Sequence, residues 1–259
     1  MAQLSPILEA AAVHDRKMYG VWLAMSFSAG MVNATTLAAC RRYVTHVTGT
    51  LTLIGADYAR LHLLLDYVLV AVSFVLGAML SFRLIDGRRV NDLEPWPAAP
   101  LFMVAGCLLL VVVLGLQGAF GPFGQTVETT GDFILLAILA FAMGLQNASV
   151  ATTTGMIVRT THMTGPLTDF SVALSAVLSN APEAVRETAW ESSVLRGSKI
   201  FAFVLGCAVA AILAPRAGYL TYLVPACIVS AAAWWLRAQI RLLVSDRSRY
   251  VVRDGPAAT

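Results

Sequence analysis

The chain repeats itself at long range, and that repeat constrains its fold more than any other feature. Thr45-His46-Val47-Thr48-Gly49 is echoed by Thr161-His162-Met163-Thr164-Gly165. Each copy follows a glycine-to-alanine segment, Gly30-Met31-Val32-Asn33-Ala34 in one case and Gly144-Leu145-Gln146-Asn147-Ala148 in the other. The asparagines are 114 residues apart and the histidines 116, while Phe74-Val75-Leu76-Gly77 returns as Phe203-Val204-Leu205-Gly206 after 129. The growing offset marks insertions of two and then 13 residues in the second copy. A self-similarity of this kind means two halves of one architecture.

What each half contains follows from hydropathy. Hydrophobic residues make up 58% of the chain and charged ones 13%, about half the charged share of a soluble domain. Apolar runs at about 19–39, 64–84, 98–118, 131–151, 199–215 and 218–238 are long enough to cross a hydrocarbon layer of about 30 Å. Two weaker segments, 47–58 and 166–179, directly follow the Thr-His-x-Thr-Gly copies and carry Asp57 and Asp169. They read as broken, re-entrant or steeply tilted helices, because irregular backbone at membrane depth survives only where protein shields it from lipid. The alternatives are surface loops, an extension of the helix beginning near Leu63, or full crossings that would make the repeats parallel. The expectation is an all-α integral membrane protein with six transmembrane helices, arranged as two inverted three-helix repeats. Three crossings is an odd number, so the second half must enter the membrane upside down. Residues 19–118 form the first repeat and 131–240 the second, within a single membrane domain over 1–259.

The basic residues set the orientation. With the amino terminus in the cytoplasm and six crossings, fourteen of the lysines and arginines fall on the cytoplasmic side and four, Arg41, Arg42, Arg60 and Arg216, on the other. This bias places both termini inside. Asn180 and Glu183 have capping-box spacing and Gly197 suits a helix end, so 180–197 reads as a separate cytoplasmic interfacial helix with Trp190 at the headgroups. Residues 241–259 form a basic cytoplasmic tail. Leu37-Ala38-Ala39-Cys40 has the form of a lipoprotein cleavage site, but cleavage there would sever Asn33 from the motif that follows it in both halves, so it reads as part of the first span.

Composition also excludes several functions. The net charge of +3 arises from basic residues at the ends of apolar runs, which argues for topology and against nucleic-acid binding. Cys40, Cys107, Cys207 and Cys227 lie singly in or beside apolar runs and read as packing residues, with neither a disulfide framework nor a zinc site. No cofactor fingerprint occurs, and no metal is expected.

Polar side chains at membrane depth are costly and mark candidate sites. Here they are Asn33, Thr45, His46 and Thr48 in the first half and Gln146, Asn147, Thr161, His162 and Thr164 in the second, joined by the motif glycines Gly49 and Gly165, whose backbone can take angles closed to other residues. A broken helix starting at either motif would aim unpaired N–H groups and a partial positive charge at the protein centre, which suits an anion or carboxylate. The histidines titrate near neutral pH and serve equally as proton switches or structural donors. Asp57 and Asp169 are candidates for proton or ion coupling, although they stand eight and four residues after their motif glycines.

These motifs resemble those of the bacterial YoaK-like family, a domain of unknown function (1275). The resemblance rests on the first asparagine segment with Thr45–Gly49, and on Ala142–Ala148 with Arg159–Gly165; it covers about 20–240. The family commonly has aspartate at Asn33 and asparagine at Thr50. It implies a six-span protein of the bacterial inner membrane and a transporter-like role, without a substrate.

Taken together, the expected function is secondary transport or channel-like carriage of a small polar or anionic solute. The rivals are an intramembrane enzyme using His46 and His162 and a non-transporting scaffold or accessory subunit. The expected partners are the lipid bilayer and the solute; a homodimer is compatible with all of this.

Overall fold

The computed structural model describes residues 7–8, 15–56, 59–124, 129–161 and 163–253. Within them every regular element is helical. In chain order these are α1 (Arg16–Cys40), α2 (Val47–Ala56), α3 (Leu61–Val90), α4 (Ala99–Leu116), α5 (Thr130–Thr153), α6 (Thr164–Val177), α7 (Glu183–Ala217), a 3-10 turn (Gly218–Tyr222) and α8 (Leu223–Arg253). Five stretches are long and apolar enough to cross a membrane: Met18–Cys40, Leu63–Val90, Ala99–Leu116, Thr130–Thr153 and Glu183–Gln239. The chain is a multi-pass α-helical membrane protein. The fifth stretch merges the last two expected runs because no polar loop parts them; the break is at Gly218, whose φ of 53° and ψ of −132° suit a residue without a Cβ.

The segments after the two motifs are short. α2 has 10 residues and α6 has 14, about 15 and 21 Å at 1.5 Å per residue, less than a hydrocarbon layer of about 30 Å. The chain also doubles back before each. α1 ends at Cys40, yet the N–H groups of Val44 and Thr45 lie beside Asn33, seven residues earlier. α5 ends at Thr153, yet Thr160 meets Gln146, again seven residues earlier. Each motif therefore starts roughly 10 Å back along the helix that precedes it.

The two halves are interleaved by a second repeated element, Phe-x-x-Gly, present as Phe27–Gly30, Phe74–Gly77, Phe141–Gly144 and Phe203–Gly206. A Cβ on Gly30 would collide with the Phe203 carbonyl, and one on Gly206 with that of Phe27; Gly77 and Phe141, and Gly144 and Phe74, are related in the same way. α1 thus packs backbone-to-backbone on α7, and α3 on α5, so each half pairs its helices with the other's. Small residues permit such approach between helices in lipid.

The partners' directions follow from their contacts. Tyr19 donates to the Val194 carbonyl (3.1 Å) and Cys207 Sγ to the Gly30 carbonyl (3.3 Å), so α1 and α7 run the same way. The Tyr67 and Phe133 rings meet one end of the α3–α5 pair and Gly77 and Phe141 its middle, so these two also run the same way. Gly115 faces Tyr219 while Phe102 meets Trp234, so α4 and α8 run opposite ways. α4 and α5 form a hairpin, with Gly131 against Phe120 and Ser149 donating to the Pro97 carbonyl. α1 and α8 are opposed as well, through Thr36 with Tyr222 (2.8 Å) and Ser28 with the Pro225 carbonyl (3.5 Å).

One expected element is not separate. α7 continues unbroken through Gly197, and the anticipated Asn180–Glu183 cap is replaced by Pro182 at the N-cap, without a side-chain hydrogen bond. A single glycine costs a helix only about 1 kcal/mol, and the bare face of Gly197 accepts the Phe170 ring, 3.1 Å from where a Cβ would lie.

Candidate functional site

The first motif is fixed from below by Asn33. The residue is 9% exposed, and its Oδ1 accepts hydrogen bonds from the N–H groups of Val44 and Thr45, both at 3.2 Å. An amide oxygen has two lone pairs for this purpose, and the arrangement clamps the start of Thr45–Gly49 to mid-helix depth. His46 is exposed and its ring lies over Gly49, where a Cβ would stand 3.3 Å from Nδ1. Tyr43 meets the same ring edge-on at 6.0 Å between centroids. The hydroxyl of Thr52 donates to the Thr48 carbonyl (2.9 Å), just as Thr168 does to Thr164 (3.1 Å).

The second motif is held differently. Gln146, fully buried, donates through Nε2 to the Met25 carbonyl (3.1 Å) and to Thr160 Oγ1 (3.3 Å). Asn147 does not repeat the Asn33 clamp; among the described residues its buried Oδ1 has no hydrogen-bond partner, nor has Gln146 Oε1. Such atoms are costly in a folded protein and call for an explanation. α6 begins at Thr164 with Met163 as N-cap and no side-chain cap, leaving the first N–H groups and their partial positive charge unneutralised by a side chain.

Both motifs open onto one cleft of about 200 Å³. Asn33, Tyr43, Thr45, His46, Val47 and Thr48 line it from the first half, and Thr161, Met163, Thr164 and Phe203 from the second. A neighbouring cleft of about 410 Å³ shares Tyr43, His46 and Thr48 and adds Arg41, Arg42, Gly49 and Tyr67. There the Arg42 guanidinium donates to the Tyr67 hydroxyl (2.9 Å) and lies over a ring centroid at 5.2 Å. The small cleft offers hydroxyls, one carboxamide and one imidazole, a lining suited to binding a small polar group.

The sequence candidates divide as follows. Asn33, Thr45, His46, Thr48, Thr161 and Thr164 meet in the small cleft, and Gly49 borders the larger one. Gln146, Asn147 and Gly165 are not among the residues lining either. Asp169 is apart from both, its carboxylate 3.6 Å from Arg196. Asp57 and His162 lie outside the described residues. Among the described residues no group of three histidine, cysteine or acidic side chains is placed to hold a metal. Sequence reasoning missed Phe203, whose signal was its place at the head of a repeated Phe-Val-Leu-Gly, and Tyr43, which no repeat marks.

A family model described as a protein of unknown function (DUF1275) matches residues 21–235. No curated protein and no solved structure matches the chain significantly.

Proposed function

We propose that this chain, which belongs to the DUF1275 family of proteins of unknown function, is a secondary transporter that carries a small polar or anionic solute across the bacterial inner membrane. The observation that carries this reading is the shared cleft: two motifs more than a hundred residues apart in sequence line one small cavity. Transporter sites commonly form where the broken helices of two repeats meet. At about 30 Å³ per water-sized unit, a cleft of about 200 Å³ suits a solute of roughly six or seven heavy atoms.

Helix directions support six passes in two inverted halves. α1, α4 and α7 run one way and α3, α5 and α8 the other, so the first half reads opposite to the second, element for element. Eight full crossings would set α4 and α8 parallel, contrary to their contacts. The lysine and arginine bias then puts both termini in the cytoplasm. On this reading the protein is a carrier and His46, which packs on Tyr43 and Gly49, is part of the cleft wall.

The test is a thermal-shift screen of the purified full-length protein against a panel of small metabolites, run beside Thr48→Ala, Thr164→Ala and Asn147→Ala. A ligand of the folded state must raise the melting temperature by mass action. The expected result is a hit that loses its effect in both threonine variants, keeps it in Asn147→Ala, and is taken up by proteoliposomes. A hit that stabilises the threonine variants as well as the wild type would remove the cleft from the mechanism.

A further inference from the structure

Lys199 is one of only two lysines in the chain and is 1% exposed, near the start of the apolar part of α7. It stands one helical turn before Phe203, on the same face of the helix, and Phe203 lines the small cleft. The charges that act on it are Arg196 on its own helix and Asp169 on α6. Asp169 is engaged by Arg196 at 3.6 Å, and its carboxylate is 60% exposed. On α1 the Tyr19 hydroxyl is committed to the Val194 carbonyl. Among the described side chains two cations therefore share one carboxylate, an excess of one positive charge one helical turn from the Phe203 that lines the cleft.

The fold does not require a charge there. At the offset of 129 residues that relates Phe74 to Phe203, Lys199 corresponds to Val70 and Arg196 to Tyr67; at the offset of 116 that relates the histidines, Asp169 corresponds to Leu53. The first half thus fills the same three positions with Leu53, Tyr67 and Val70, all of which border its larger cleft. A buried ammonium is far more costly than a valine unless an opposite charge joins it. Retaining the lysine in one half only calls for a ligand that supplies that charge, and α6, with no side-chain cap at its N-terminus, adds partial positive charge of the same sign at the cleft.

We infer that the solute of this cleft is a small anion bearing one negative charge, and that Lys199 is its buried counter-charge. The inference rests on the transport reading and narrows its substrate class. Lys199 acts through the field it sets at the cleft, and Asp169 and Arg196 restrain its position.

The experiment uses full-length protein in detergent with acetate, lactate and nitrate as probes at constant ionic strength, against bulky HEPES as the reference anion. The wild type is expected to show a saturable rise in melting temperature with at least one probe, retained in Lys199→Arg and lost in Lys199→Met, while Lys199→Met itself melts no lower than the wild type. A direct measurement avoids reliance on variants. With ε-13C-lysine the protein gives two lysine signals, assigned by Lys17→Arg, and the Lys199 signal should move with the same midpoint as the melting shift while Lys17 stays fixed. No shift with any probe, or a shift that survives in Lys199→Met, overturns the inference. The two proposals fail separately. Loss in Thr48→Ala and Thr164→Ala with retention in Lys199→Met leaves the cleft standing without its counter-charge. Loss in Lys199→Met alone leaves the anion site and removes the threonines from it.

Discussion

At the scale of single residues, Asn33 does the most for the candidate site, because one amide oxygen satisfies two backbone N–H groups that would otherwise be unpaired just before α2. Asn33→Leu should leave both without a partner. At about 1–3 kcal/mol for a buried group so stranded, the loss should appear as a clearly lowered melting temperature. Asn33→Asp keeps an acceptor oxygen in the same place and should melt close to the wild type, yet its added negative charge should weaken stabilisation by acetate. Equal destabilisation by both substitutions would show that the clamp depends on the amide NH₂ and not on the oxygen. Asn33, His46 and Thr48 were legible in sequence because duplication repeats their type and spacing. Lys199 and Phe203 were not: the lysine has a valine as its counterpart, so a search for repeated polar residues passes over it, and a phenylalanine in an apolar run carries no mark of lining a cleft.

At the scale of elements, the apolar runs located the long helices to within a few residues, since a span must be continuously hydrophobic. The exceptions were α7, where the charged stretch before Lys199 obscured a helix with no strong breaker between Glu183 and Pro215, and the far ends of α3 and α8, which continue past their apolar runs to Val90 and Arg253. The pairing of α1 with α7 and of α3 with α5 was beyond sequence reasoning, although Phe-x-x-Gly is plain once the contacts are known. These crossings make a specific prediction. Gly30→Ala and Gly144→Ala each place a Cβ against a carbonyl oxygen of the facing helix, Phe203 and Phe74 respectively. Overpacking of this kind costs about 1–3 kcal/mol, and the two variants should lower the melting temperature by similar amounts because their surroundings are alike. Gly20→Ala, with nothing within 4 Å of the added methyl, is the matched control and should be neutral or mildly stabilising through helix propensity. A tolerated Gly144→Ala would mean that the helices are not in backbone contact there.

At the scale of the whole molecule, the decisive property is how many times the chain crosses the bilayer, because that number fixes whether the two cleft-forming motifs approach from opposite sides. If α2 and α6 turn back within the membrane, the segment between α3 and α4 and the segment between α6 and α7 lie on the same side, and the turn between α4 and α5 on the other. If both short helices cross fully, the first two segments fall on opposite sides. Asn91, Gln117 and Ser179 are exposed representatives of the three segments, and none of them contributes to the cleft. Single cysteines introduced there, with Cys40, Cys107, Cys207 and Cys227 replaced by serine, can be labelled in intact cells with a membrane-impermeant maleimide. Labelling of Gln117→Cys alone, with Asn91→Cys and Ser179→Cys reacting only after permeabilisation, is the expected pattern. Joint labelling of Asn91→Cys and Gln117→Cys contradicts α4 as a crossing. Labelling of Asn91→Cys without Ser179→Cys favours eight crossings and parallel repeats. On the transport proposal, inversion matters because rocking one half against the other would open a cleft shared by both motifs to each side in turn. In parallel repeats the motifs would enter from the same face, and the chain would need a different route to alternate access.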